Sequence, residues 1–512
     1  MASSIEAKAG SSPLASTRIA VLLIAAVAVA TRFVTFGNPV ANPDDQFYLL
    51  VGDAMWRGEW PYIDIWDRKP FGLFALFALI ARLGSTSILA MHLIALLFAF
   101  VTAFVVRRIA LMFAGPEGAT LAAIAYLLTL PMFAGQTAQA PVFFNLFMAL
   151  AALAMLASTD GDLPAIRRKA FLAMLAAGIA MSIKQVAVVE GMFFGLAFLW
   201  LMRRKGASFA SLAATGSIMI LIALAPTLLP MLGYAAAGPG ALQAFVHANF
   251  VSIFQKTSLG AGAQQAGLLY FLLFMAPLLV FAACGLAFRF RNGASLRDRL
   301  LLGWLIAAVG GYLIVPQFYD QYALPMTVPL SIAAAIFLDR KTGPLLVTAL
   351  AAFAILAGQI GAWSTNREAR HTYDRLYRSV EQARRGGCIL VNEGPVWLYH
   401  STGACRLTPY LFPGHLNLIT ETGSVGIDTV AETRRILALR PAVITFQPST
   451  SRRHNPVTER MVRDALRDDY QLVATVGSDT IPALATLQVW QRRDLGSPPA
   501  VVPDLLKPAD GR

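Results

Sequence analysis

The chain has 512 residues, 57% of them hydrophobic and 14% charged, with a mean hydropathy of +0.60, a balance that a water-soluble globular protein cannot present to solvent. Apolar runs of roughly 18 to 25 residues recur from Ile19 to Trp363, each able to cross a hydrocarbon layer of about 30 Å, so a single membrane anchor is excluded as well. The 42 Lys and Arg against 29 Asp and Glu leave +13, but the basic residues stand in short clusters between apolar runs, not along an extended basic face interleaved with aromatics, which argues against nucleic acid.

The patterning predicts an α-helical polytopic membrane protein with a C-terminal soluble α/β domain. Spanning helices are expected over 19–36, 86–106, 118–133, 141–157, 170–183, 187–202, 210–232, 267–288, 300–316, 321–338 and 343–363, about 11 in all. Three of them, 118–133, 170–183 and 187–202, are short for a full crossing and suit tilted, broken or re-entrant segments. Charge density more than doubles after Trp363, with 37 charges in residues 1–363 and 34 in 364–512. Two domains are expected on that ground, 1–363 in lipid and 364–512 in water.

Basic clusters at Arg107-Arg108, Arg167-Arg168-Lys169, Arg203-Arg204-Lys205, Arg289 to Arg299 and Arg340-Lys341 each follow an even-numbered expected helix, on the side of Lys8 and Arg18. They mark the cytoplasm. An external loop 37–69 and an external C-terminal domain follow. Ala28-Val29-Ala30 resembles a signal-peptidase site, whose use would leave the side of that loop unchanged.

Past Ser364, β-leaning runs at Cys388–Val391, Ala442–Phe446, Gln471–Val476 and Thr486–Trp490 alternate with helical stretches at Val430–Leu439 and Thr458–Leu466. Gly496–Arg512 reads as a loose tail. Cys388 and Cys405 admit either a disulfide or two buried thiols, and Cys284 reads as a packing residue.

Six of the 14 acidic residues before Ser364 crowd into the external loop: Asp44, Asp45, Asp53, Glu59, Asp64 and Asp67. A merely polar solvated loop would not also carry Phe47, Tyr48, Trp56, Trp60, Tyr62 and Trp66. Asp45, Leu49 and Met55-Trp56 fit one amphipathic helix at the membrane interface. The Asp44-Asp45 pair behind Pro43 is placed to act as a base or to hold a divalent cation.

The segments Asp44-Asp45-Gln46-Phe47-Tyr48, Gly58-Glu59-Trp60-Pro61-Tyr62-Ile63-Asp64 and Asp67-Arg68-Lys69-Pro70 resemble the first external loop of the GT-C superfamily of polyprenyl-phosphate-sugar-dependent glycosyltransferases. The nearest likeness is to the bacterial family similar to dolichyl-phosphate-mannose-protein mannosyltransferases and aminoarabinose transferases. The match is most specific over 44–70; a weaker one, including Tyr322 to Pro325, runs through most of 18–363. The resemblance implies inverting transfer of a sugar from an undecaprenyl-phosphate carrier to a glycan, lipid or protein acceptor at the periplasmic face of a bacterial inner membrane. It assigns Asp44 as the catalytic carboxylate with Asp45 as its neighbour.

The leaving phosphate needs fixed positive charge. Candidate external cations are Lys69, Arg68, Arg57, Lys184 and Lys256; Lys69 at the head of a helix and Lys184 at the outer end of another are the foremost, against snorkelling or a structural Lys184-Glu190 pair. Tyr62, Asp64, Arg68, His247, Tyr319 and Tyr322 complete the candidate substrate contacts. Gln139 departs from the family pattern, since many relatives carry Asp or Glu there and an amide accepts no proton. That departure keeps open a catalytically inactive subunit and weakens the case for a metal. The rival from another class is a flippase or transporter of a lipid-linked saccharide, which would place paired charges or broken helices in repeat-related positions at mid-membrane; no such repeat is evident.

Overall fold

A computed structural model describes residues 16–257, 260–314, 317–448, 453–477 and 486–496; Lys8 and the expected tail from 497 on lie outside them. The chain divides into two compact units. One comprises residues 1–63, 67–253 and 258–366, and the other residues 64–66, 254–257 and 367–512.

The first unit is helical. Its elements are α1 (Thr17–Ala30), α2 (Pro43–Trp56), α3 (Phe71–Ala81), α4 (Ser87–Ala110), α5 (Pro116–Thr129), α6 (Ala140–Leu156), α7 (Leu163–Ile183), α8 (Ala187–Arg204), α9 (Phe209–Ala237), α10 (Pro239–Val246), the single turn α11 (Ser252–Gln255), α12 (Ala261–Arg291), α13 (Leu296–Leu313), α14 (Leu324–Leu338) and α15 (Gly343–Leu356), and α16 (Trp363–Arg384) leads out of it. A helix stands in each expected range. Five helical segments of the described residues are long and apolar enough to cross a membrane: Gly84–Ala110, Pro116–Phe133, Phe209–Ala237, Ala261–Arg291 and Asp320–Leu338. The protein is accordingly read as a membrane protein.

Differences from the expected ranges have local causes. The first helix stops at Ala30, not 36, and a 3-10 turn, Phe33–Thr35, follows as Arg32 turns inward. The helix at 163–183 starts seven residues early because Asp162 caps it, its side chain accepting from the Ala165 amide at 3.0 Å. The last one ends at Leu356, where Gly358 and Gly361 take positive φ. No span is expected between 36 and 86, and the helix expected to start at Lys69 is the short α3, Phe71–Ala81. The segment before Ala261, expected as a loop, is also partly helical, with α10 and a π-helical turn, His247–Val251.

Burial orders the bundle. Nearly every side chain of α5 and α14 is buried, whereas α9 buries only Thr215, Met219, Ala223 and Tyr234. An apolar helix with so few internal neighbours belongs at the lipid boundary. Without a hydrophobic drive between helices in lipid, close approach depends on small residues. Gly52 in α2 lies against the α3 backbone, where an added Cβ would meet the carbonyl carbon of Phe77 at 2.5 Å.

The second unit holds the strands β1 (Ile389–Val391), β2 (Val443–Phe446), β3 (Tyr470–Val476) and β4 (Leu487–Arg492), with α17 (Leu398–Ser401), α18 (Pro413–Asn417), α19 (Thr429–Ala438) and α20 (Pro456–Asp469). The sheet order is β1-β2-β4-β3, with β1 parallel to β2 and the other pairs antiparallel. Leu390, Ile444 and Phe446 pack with Ile436, Val462 and Leu466 to form its core. Cys388 and Cys405 are joined by a disulfide. Glu393, just past β1, is pushed up to about 7 by burial, against a hydrogen bond from Asn417 that lowers it.

Candidate active site

The acidic pair owes its position to a helix start. Asn42 is the N-cap of α2, its side chain accepting from the Asp44 amide at 2.9 Å, and Pro43 takes the first helical position. Asp44 and Asp45 therefore sit in the first turn, where carboxylates complement the helix dipole. Their environments differ. Asp44 is half-buried and receives Gln139 Nε2 at 3.4 Å. Asp45 is 1% exposed and accepts the Ala138 amide at 3.1 Å. Burial pushes the Asp45 carboxyl up to about 7, opposed by the bond from Ala138 and assisted by the charge of Asp44.

The positive side of the site is built by three segments. Lys69 precedes α3, with Nζ 3.8 Å from Asp67 Oδ2 and 5.1 Å from the centre of the Tyr48 ring. Burial disfavours its ammonium, but Asp67, and Asp44 beyond it, raise it above the ordinary lysine value, so the cation persists. Lys184 caps the C-terminus of α7 and holds its Nζ 4.9 Å from the Tyr322 ring centre. Tyr322 is also within electrostatic reach of Lys69, and Asp320 within reach of Asp44. The structure thus gathers Asp44, Asp45, Lys69, Lys184 and Tyr322 in one unit. Tyr319 stands edge-on to Tyr322 with ring centres 5.5 Å apart.

Other candidates take different places. Tyr62 is 3% exposed among Phe74, Tyr234 and Phe245, and its hydroxyl donates to the Lys69 carbonyl at 2.9 Å. It holds the backbone of Lys69. Arg68 offers its carbonyl to Gln185 Nε2 at 3.1 Å, and His247 opens the π-helical turn. Asp64 is exposed and falls with Ile65 and Trp66 in the second unit, as does Lys256, paired with Glu421 at 2.7 Å. Arg57 is engaged with Asp53 and Glu59. Glu190 accepts from Trp304 Nε1 across α8 and α13 instead of pairing with Lys184.

Two supporting residues escaped the sequence reading. Gln185 fastens Arg68 to the π-helical turn by donating also to the Asn249 carbonyl at 3.2 Å; a lone glutamine gives no signal for that. Arg32, 1% exposed, donates to the carbonyls of Gly135 and Thr137. As the one charge in the apolar stretch 19–36, it carried a signal, because intramembrane charges are rarely idle.

Among the described residues no three His, Cys, Asp or Glu side chains converge as a metal site. With Asp45 committed to Ala138 and an amide at Gln139, the donor set fits a divalent cation poorly.

No protein-family model and no curated protein matches the sequence. Solved structures do. Crystal structures of ArnT from Cupriavidus metallidurans, bound to undecaprenyl phosphate and in the apo state, have TM-scores of 0.61 and 0.62 at 15% and 16% identity; each covers 92% of this chain, and 96% and 97% of those chains respectively. The oligosaccharyltransferase of Archaeoglobus fulgidus, tethered with an acceptor peptide, has a TM-score of 0.50 at 11% identity, over 83% of this chain and 68% of its own. At such identities the likeness is one of fold alone, shared with ArnT and with the archaeal oligosaccharyltransferase.

Proposed function

We propose that this chain, with its GT-C fold, is a membrane glycosyltransferase of inverting mechanism. It moves one sugar from a polyprenyl-phosphate-linked donor, of the undecaprenyl kind that ArnT binds as its phosphate, to a hydroxyl of a lipid-linked glycan, a lipopolysaccharide component or a protein. The observation that carries this reading is the grouping of a half-buried Asp44 at a helix start with Lys69 and Lys184 about Tyr322. A carboxylate and fixed cations in a shielded setting are what this transfer requires.

The acceptor hydroxyl gives its proton to Asp44 as its oxygen bonds to the anomeric carbon. The bond from that carbon to the phosphate oxygen breaks, and the electron pair leaves with the polyprenyl phosphate. Lys69 and Lys184 balance the charge that builds there, with the Tyr322 ring beside Lys184. No step is routed through a metal.

The alternation of basic clusters with helices supports about 11 spans with the acidic turn and the second domain outside, and the resemblance of residues 44–70 to the bacterial family supports an inner-membrane location. The test is transfer of label from a panel of polyprenyl-phosphate-linked sugars to membrane extract by purified protein. Wild type should transfer and Asp44→Asn should not. Equal transfer by both rejects Asp44 as base, and transfer by neither with every donor rejects the glycosyltransferase.

A further inference from the structure

The loop 134–139, between α5 and α6, is held at every position that follows its turn. Ala134 takes φ +56°, reversing the chain after the 3-10 turn Leu130–Phe133. Arg32 then donates to the carbonyls of Gly135 and Thr137, the Thr35 hydroxyl, which donates to Arg32 O at 2.8 Å, lies 3.4 Å from Gln136 O, and Asp45 accepts the Ala138 amide at 3.1 Å. The fit is close, since a Cβ on Gly135 would meet the Leu130 carbonyl oxygen at 2.7 Å. Burying a guanidinium is costly unless its donors are used, and here two of them are spent on backbone carbonyls of this one loop.

All of that restraint bears on the next side chain. Gln139 is 2% exposed, and its Nε2 donates to Asn42 Oδ1 at 2.8 Å and reaches Asp44 Oδ2 at 3.4 Å. Asn42 in turn receives the Asp44 amide. Asn42 and Gln139 thus bracket Asp44, one from its own helix cap and one from the clamped loop. An N–H donor beside a carboxylate favours its charged form and fixes its direction; a second carboxylate in the same place would make one of the two retain a proton.

We propose that Gln139 is a positioning residue for Asp44, presented by the Arg32, Thr35 and Asp45 clamp, and that this chain requires an amide at 139 rather than a second acid. This rests on the reading of Asp44 as the base. It gives the departure from the family pattern a role: the site works with one carboxylate and a neutral donor, in place of a pair.

The test compares Gln139→Glu and Gln139→Leu with wild type as full chains in lipid vesicles, by two readouts. In sugar transfer, Gln139→Glu should shift the acid limb of the pH profile upward by about one pH unit or more, with the KM for donor within about twofold of wild type. Gln139→Leu, which loses the donor without adding a charge, should lower kcat by roughly tenfold and move the limb upward by less than Gln139→Glu does, and Arg32→Lys, which keeps the charge but loses the fork, should lower kcat in the same way. The second readout needs no turnover. Carbodiimide labels protonated carboxyls, so mass spectrometry of labelling at Asp44 against pH should give a higher midpoint in Gln139→Glu than in wild type. An unmoved acid limb and an unmoved labelling midpoint in Gln139→Glu would overturn the proposal. A moved labelling midpoint with no transfer by wild type would uphold the placement of Gln139 while rejecting the reaction.

Discussion

Replacing Asp45 by Asn should remove a pH dependence of stability, and the structure sets its size. The Asp45 carboxyl is 1% exposed and its value stands at about 7 against 3.8 in the unfolded chain. A raised carboxylate works against folding once ionised: below pH 4 both states hold the proton and nothing is lost, and between pH 4 and 7 the unfolded chain sheds it first. At 1.36 kcal/mol per pH unit, the folded state gives up roughly 4 kcal/mol by pH 8. Asn keeps an oxygen to accept that amide and has no proton to lose. Thermal unfolding in detergent from pH 4 to 8.5 should therefore show the wild-type midpoint falling relative to that of Asp45→Asn, most steeply between pH 5 and 7. Parallel curves would refute the reasoning, since they would mean that the ionised carboxylate is no worse placed in the folded protein than in water.

Other perturbations have comparably definite outcomes. Glu393→Gln in the second unit should flatten a similar fall between pH 4.5 and 7, worth about 3 kcal/mol, because burial pushes that carboxyl up to about 7; the same thermal scan reads it. Lys69→Met should abolish transfer while leaving the amount of folded protein in membranes unchanged, and wild-type turnover would remove Lys69 from the site. Trp304→Phe deprives the buried Glu190 of its donor and should cost about 1–3 kcal/mol, seen as a lower unfolding temperature in detergent. Reduction of the Cys388–Cys405 bridge, which spans 17 residues, should destabilise the second unit by about 3 kcal/mol, with protease sensitivity confined to residues after Arg367.

The apolar periodicity made the helices legible, and the crowding of acids after the first of them marked Asp44 and Asp45. Less legible was anything decided by long-range packing. Phe71–Ala81 is only 11 residues, too short to register as a span, so the helix expected at Lys69 had a start but no legible extent before α4. Tyr62 and Lys69 carried the same resemblance, yet the tyrosine is walled in by Phe74, Tyr234 and Phe245 while the lysine lies by Tyr48; local sequence holds no record of which ring a distant helix will cover. Gln185 joins segments more than 60 residues away on both sides. The two cysteines left both a bridge and free thiols open, because spacing alone does not bring two Cα atoms to 4.7 Å.

The contact between Gly52 and the backbone at Phe77 bears on how such a protein can change over generations. New acceptor preferences are most cheaply reached by varying peripheral segments, where an extra residue bulges outward at little harm. The helix that carries the acidic turn has no such slack: a methyl group at 52 would wedge it off its neighbour and tilt its far end, so diversification should skirt this seam and leave the turn standing at a constant height.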